Sequence, residues 1–295
     1  MLRVFESFSG YGSQSIALRN LGIEYEVVAI SEIDKYAIKA YEAIHGPTNN
    51  LGDICKIDPK DIPDHDLFTY SFPCQDLSVA GKQAGLGKGT RSGLLYECEK
   101  VIEAKKPKYL LLENVKNLVS KKFKPQFEKW LKYLEDLGYT NYWKTLNAKD
   151  YGVPQNRERV FVISILGKHE PYEFPKPIPL DKCIKDILED KEEICYVERM
   201  PLKFLGRNGK KTDGKYTFCI DTCHTGGIKE YYSDNTFRIR KLTPRECFRL
   251  MGMRDNDIDK IQAAGISNTQ QYKMAGNSIC IPVLEAIFKN LFMEG

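Results

Sequence analysis

Phe8-Ser9-Gly10-Tyr11-Gly12 stands between an apolar strand start at Val4-Phe5 and a helical pattern that opens near Ser15. This stretch decides the fold. Two glycines so placed allow a tight turn whose backbone can approach a ligand, and a strand, glycine turn and helix in that order open a doubly wound α/β sheet. Onward to about residue 166, short β-branched or aliphatic runs alternate with helical patterns, the pattern of a parallel sheet wound with helices. Residues 27–30, 67–70, 109–112 and 160–166 read as strands, and 15–21 and 127–137 as helices, the second stopped by a left-handed cap at Gly138.

Pro171, Pro175, Pro177 and Pro179 then break the pattern, because proline continues neither a helix nor a central strand. A boundary is placed near 170. From there to 236, Gly206, Gly209, Gly214, Gly226 and Gly227 punctuate a segment expected to hold irregular strands and loops. Regular patterning returns at Thr243-Pro244-Arg245-Glu246, where Thr243 can cap, Pro244 suits the first helical position and Glu246 can close a capping box. A last helix near 282–291 carries Leu284, Ile287, Phe288 and Leu291 on one face, which suits packing back on the sheet. The domains expected are therefore 1–169 with 237–295, and 170–236.

Bulk composition narrows the class. The 295 residues are 42% hydrophobic and 28% charged, enough to bury a core. Forty-four Lys plus Arg against forty Asp plus Glu leave +4, which permits a polyanionic partner without arguing for one. Met1-Leu2-Arg3-Val4-Phe5 lacks a signal-peptide pattern and no apolar run approaches the roughly 18 residues of a bilayer span, so an intracellular, non-membrane protein is expected. Nine cysteines fit a reducing compartment. Cys219, Cys223 and His224 form the one close group, and without a second pair no metal is expected.

Four further segments carry chemistry. Glu32, twenty residues after Gly12, ends the second strand, where a carboxylate can bond a ribose hydroxyl, as in dinucleotide and S-adenosylmethionine sites. Pro73-Cys74-Gln75 follows the strand 67–70, placing a thiol at the carboxyl edge of the sheet. Glu113-Asn114-Val115 puts a carboxylate on the same edge, and Gln155-Asn156-Arg157-Glu158-Arg159 leads two arginines into the strand 160–166. Taken singly, each has a plainer reading: a glycine turn beside a surface acid, a buried inert cysteine, a surface charge cluster.

In this order, with Gly52-Asp53-Ile54, Lys241-Leu242-Thr243-Pro244-Arg245-Glu246-Cys247, Met251-Gly252 and Gln271-Tyr272-Lys273-Met274-Ala275-Gly276-Asn277-Ser278, the blocks resemble the DNA (cytosine-5) methyltransferase family of bacterial or phage type. The resemblance implies a Rossmann-like S-adenosylmethionine-dependent sheet carrying a small irregular target-recognition domain. It implies methyl transfer to carbon 5 of a cytosine in a short duplex DNA sequence, with the base flipped out of the helix and Cys74 adding to carbon 6 as nucleophile. Glu113 and Arg159 match the groups that hold ring nitrogen 3 and the exocyclic oxygen, with Gln155 and Arg157 in support. S-adenosylmethionine is expected across Phe8, Gly10, Gly12, Glu32, Ile33, Asp53, Ile54, Pro73, Asn277 and Ser278. Relatives often carry a larger aromatic at the position of Ile33, which bears on cofactor affinity.

DNA contacts are expected from Gln75, Ser78, Lys82, Gln83 and Arg91, in a glycine-rich basic stretch resembling the family's mobile catalytic loop, and from Thr222 in the recognition segment. Lys203, Arg207, Lys210, Lys211 and Lys215 are candidate phosphate contacts. The expected partners are double-stranded DNA and a separately acting cognate restriction endonuclease, with a monomeric enzyme. Two other readings share the residues: an RNA cytosine-5 methyltransferase, whose thiol chemistry is the same, and a catalytically silent DNA-binding relative. A nicotinamide-dependent oxidoreductase would account for Gly10, Gly12 and Glu32 but not for Pro73-Cys74-Gln75 with Gln155 to Arg159.

Overall fold

The computed structural model describes residues 1–73, 94–189, 203–205, 217–220, 227–231 and 237–293. Cys74, Gln75, Ser78, Lys82, Gln83, Arg91 and Thr222 lie outside the described residues, as do Arg207, Lys210, Lys211 and Lys215. Two compact units are formed: 1–146 with 158–175 and 284–295, and 147–157 with 176–283. The chain passes from the first to the second twice, between Leu146 and Asn147 and between Pro175 and Lys176, the latter within the proline-rich stretch.

Along the chain the elements are β1 (Leu2–Ser7), α1 (Ser13–Asn20), β2 (Tyr25–Ser31), α2 (Lys35–His45), β3 (Leu67–Tyr70), α3 (Leu95–Lys105), β4 (Tyr109–Val115), α4 (Lys124–Asp136), β5 (Tyr139–Asn147), β6 (Gln155–Asn156) and β7 (Glu158–Leu166). They continue with β8 (Lys203–Leu205), β9 (Thr217–Phe218), β10 (Gly227–Tyr231), β11 (Phe237–Arg240), α5 (Pro244–Arg249), α6 (Asp255–Ala263), α7 (Asn268–Asn277) and α8 (Ile281–Phe292).

In the first unit six strands join in the order β2-β1-β3-β4-β7-β5. β1 runs parallel to β2 and to β3, and β3 parallel to β4. β7 runs antiparallel to β4, so the sheet is mixed where the sequence pattern reads as parallel. Residues 148–157 are all that separate β5 from β7, too few for the crossover that a parallel return between neighbours requires. β3 is buried throughout, and β1, β4 and β7 are buried over most of their length, which is why β3, β4 and β7 read as largely apolar runs covered on both faces. β5, at the sheet edge, alternates weakly and carries exposed Trp143 and Lys144; its apolar pattern is accordingly faint.

Register builds the core. Phe5 lies opposite Phe68, their rings stack at 5.2 Å, and Phe68 stacks on Tyr70 at 5.2 Å. α4 lays Phe127, Trp130 and Leu134 against the same cluster and turns its lysines and acids outward. Each such side chain contributes about 1.5–3 kcal/mol of transfer free energy. α4 ends before Gly138, whose φ of 99° is the left-handed cap that the sequence predicts. In α8, Asn290 donates to the Glu173 carbonyl at 3.1 Å, Glu285 accepts from Asn20 at 2.6 Å, and Phe292 meets Tyr109 edge-on.

In the second unit, β8, β10 and β11 form an antiparallel sheet in the order β11-β10-β8. β6 pairs in parallel with β9 through Gln155 opposite Thr217 and Asn156 opposite Phe218. α5 begins with the predicted capping box: the Glu246 N–H donates to Thr243 Oγ1 at 3.2 Å, and the Thr243 N–H to Glu246 Oε2 at 2.7 Å. No helix among the described residues is long and apolar enough to cross a membrane.

Parallel pairing of β1 to β4 sets their carboxyl ends at one edge of the sheet. Antiparallel β7 brings its amino end to the same edge, with Arg159 opposite Val115. The glycine turn after β1, Glu32 after β2, Pro73 beyond β3 and Glu113 near the end of β4 lie at that edge, where ligands bind in open α/β sheets.

Candidate active site

The turn after β1 contains three left-handed residues: Phe8 (φ 54°), Gly10 (φ 59°) and Gly12 (φ 81°). The Phe8 N–H donates to the Ser31 carbonyl at 2.8 Å and the Gly12 N–H to the Ser9 carbonyl at 2.9 Å. Gly12 is required by conformation and by space: a Cβ there would stand 2.5 Å from His45 Nε2 and 2.7 Å from the Tyr41 ring. Beneath the turn, buried Glu6 accepts from Ser15 Oγ at 2.8 Å and from Tyr41 Oη at 2.9 Å. Burial raises the Glu6 carboxyl from 4.5 to about 7, because desolvation disfavours the charged form.

Glu32 directly follows β2, its carboxylate locked in place. Oε1 accepts from the Ile33 and Asp34 N–H groups, both at 2.8 Å, and Oε2 from the Gly10 N–H at 3.0 Å. Asn50 holds the same residue by its backbone: Oδ1 accepts from the Glu32 N–H at 3.2 Å and Nδ2 donates to the Glu32 carbonyl at 3.1 Å. Ile33 beside it is 72% exposed. Asp53 accepts from the Cys55 N–H at 3.1 Å and caps a single 3-10 turn in which Ile54 is buried. Glycine turn, Glu32 and the Asn50–Asp53 corner thus converge.

Beyond β3 the described chain continues through Phe72 and Pro73 to the residue before Cys74. Buried Asn114 ties that segment to β4, its Nδ2 donating to the Phe72 carbonyl at 3.1 Å. One residue earlier, Glu113 faces Arg159, with Nε 3.2 Å from Oε1 and both side chains mostly buried. The Arg159 Nη1 also donates to the Glu158 carbonyl at 2.8 Å.

Gln155 and Arg157 belong to the second unit and bond within it. Buried Gln155 donates to the Leu250 carbonyl at 2.7 Å and accepts from the Ile220 N–H at 3.1 Å. Arg157, also buried, donates to the carbonyls of Ile220 (3.2 Å), Gly276 (2.9 Å) and Ser278 (2.7 Å) and to Cys219 Sγ (3.3 Å). It binds the end of α7, where a cation suits the helix dipole. Asn277 is exposed at that helix end, and Ser278 Oγ donates to the Ala275 carbonyl at 2.9 Å. Both belong to the second unit, whereas the other cofactor candidates belong to the first.

Sequence reasoning gave no role to Asn114, although it lies in the Glu113-Asn114-Val115 block, and passed over Asn50, Tyr41 and His45. An asparagine directly after Glu113 at a strand end was the available signal for Asn114; the others act through tertiary packing and leave no local pattern.

Comparison with known proteins decides the family. The C-5 cytosine-specific DNA methylase model matches residues 2–212 and 206–293. The chain belongs to that family. It is a DNA cytosine-5 methyltransferase, 43% identical to the type II methyltransferase M2.ScrFI of Lactococcus lactis subsp. cremoris over 99% of both chains. It is 34% identical to the type II methyltransferase M.NlaX of Neisseria lactamica, over 99% of this chain and 96% of that one. With the orphan methyltransferase M.SPRI of Bacillus phage SPR it shares 30% identity over 98% and 97%. Among solved structures the S. pombe Dnmt2 methyltransferase superposes with a TM-score of 0.78 at 23% identity, over 100% of this chain and 99% of that one. The Entamoeba histolytica methyltransferase EhMeth gives 0.74 at 20%, over 100% and 98%. At these identities the two structures establish the fold of the methyltransferase.

Proposed function

We propose that the methyltransferase acts through Cys74 on a flipped cytosine held by Glu113 and Arg159, with S-adenosylmethionine as methyl donor. The observation that carries this reading is the Glu113–Arg159 pair at the carboxyl edge of β4, tied by Asn114 to the segment that leads into Cys74.

Cytosine carbon 5 is a poor nucleophile. Addition of the Cys74 thiolate forms a sulfur–carbon 6 bond and moves the carbon 5–carbon 6 π pair into an enamine-like system. Glu113 protonates ring nitrogen 3, offsetting the charge that develops there, while Arg159 donates to the exocyclic oxygen and orients the carboxyl group. Once carbon 5 carries the methyl group, a base such as water takes the carbon 5 proton, the electron pair of that bond restores the carbon 5–carbon 6 double bond as the sulfur–carbon 6 bond breaks, and Glu113 recovers its proton from nitrogen 3, returning the thiolate and the acid. Gln155 and Arg157 are positioning residues: their polar groups are engaged with the Ile220, Leu250, Gly276 and Ser278 backbone.

The residues present fit an adenosyl group. Glu32 uses three of roughly four carboxylate lone-pair sites on N–H groups, leaving one on Oε2 for a ribose hydroxyl. Exposed Ile33 offers an apolar face to the adenine, and the left-handed turn opens peptide edges next to it. Bound there, S-adenosylmethionine supplies an electrophilic methyl group on a sulfonium.

Two measurements test the reading together. Duplex DNA carrying 5-fluorocytosine cannot lose a proton from carbon 5, so the wild-type chain should form a denaturant-resistant adduct with it and Cys74→Ala should not. Bisulfite sequencing of DNA from cells that express the wild type should show protected cytosines in one short context, absent with Cys74→Ala. Methylated RNA with unmodified DNA would move the substrate to RNA, and duplex binding without any adduct would leave a silent DNA binder.

A further inference from the structure

From Asn114 to Phe127 the chain carries four lysines, Lys116, Lys121, Lys122 and Lys124, and no acidic residue. This segment leaves the carboxyl end of β4, the edge at which Glu113 meets Arg159, and Lys116 follows Glu113 by three residues. Two buried side chains, Leu118 and Phe123, pin it to the core cluster and hold its backbone against the sheet. All four lysines are exposed. The result is an anchored basic ledge.

Its ion pairs are of the exchangeable kind. Lys116 Nζ lies 2.9 Å from Glu158 Oε1 and Lys124 Nζ 3.6 Å from Glu128 Oε1, every side chain half exposed. Such pairs are worth at most about 1 kcal/mol in water, so a phosphate can replace the carboxylate at little cost. Lys121 and Lys122 stand between them on the turn into α4.

We infer that this ledge binds the DNA backbone phosphates flanking the target cytosine. The inference rests on the reading that Glu113 receives that base. A base drawn to Glu113 remains covalently joined to its own flanking phosphates, which must therefore cross this edge of the sheet. A fixed row of cations meets them there and offsets part of the cost of flipping. Because the contacts go to phosphate, they add affinity and orientation but no sequence preference.

The test is anisotropy titration of a fluorescent duplex with the full chain over a range of salt concentrations. Lys121→Gln/Lys122→Gln should weaken binding by roughly tenfold near 0.1 M salt and lower the slope of log affinity against log salt by about 2. Lys168→Gln, exposed after β7 at the opposite edge, should leave both unchanged, and all three chains should melt alike. Equal affinity and slope for the double variant, with a wild type that methylates DNA, would overturn the phosphate assignment and spare the active-site reading. A wild type that neither binds nor methylates DNA would remove both.

Discussion

Arg159 lies diagonally across the β4–β7 ladder from Glu113: Val115 is opposite Arg159, Phe161 is opposite Glu113, and Nε reaches Oε1 at 3.2 Å. Diagonal neighbours on one face of an antiparallel pair are within reach of long side chains, so the antiparallel run of β7 creates this contact. Glu113→Gln keeps the shape and removes the acid; it should lower kcat by about 10²- to 10⁴-fold while duplex binding persists. Arg159→Lys keeps the charge but loses the planar fork and should also slow the reaction. A Glu113→Gln chain turning over at the wild-type rate would end the acid role.

Arg157 answers to a different measurement. Its guanidinium joins the Ile220, Gly276 and Ser278 carbonyls, so truncation strands several buried acceptors at once. Arg157→Ala should cost about 3 kcal/mol or more in urea unfolding, and Arg157→Lys should recover only part of it. Unfolding curves that overlay the wild type would show that the network does not stabilise the second unit.

Ile33 is 72% exposed next to the Glu32 carboxylate. Replacing it by Phe or Trp should leave the melting temperature unchanged and tighten S-adenosylhomocysteine binding in calorimetry by about two- to tenfold, the value of one aromatic stack. An unaltered dissociation constant would place the adenine elsewhere.

Glu6 makes stability depend on pH. Burial raises its carboxyl from 4.5 to about 7, so the folded chain holds a proton that the unfolded chain has released. Stability from this group is full below 4.5, falls as pH rises toward 7 and is level above it, a loss of about 3 kcal/mol. Glu6→Gln escapes that loss. The melting temperature of Glu6→Gln relative to wild type should therefore climb between pH 4.5 and 7 and then plateau; a constant offset would mean that the group does not titrate in this range.

By itself the sequence determined the local units. Apolar runs at 67–70 and 109–112, buried on both faces, had to be inner strands; Gly12 had to be a turn; Thr243 and Glu246 had to start a helix. These follow from short-range sterics and periodicity, and the ordered blocks around them were enough to point to the family. Only the tertiary structure decided which side chains meet. The direction of β7, the Asn50 brace on Glu32, the Asn114 link to Phe72 and the turn of Arg157 toward α7 join residues far apart in the chain. Hydrophobic periodicity carries no record of such pairings, because each is fixed by strand register and by the need of buried polar groups to find partners.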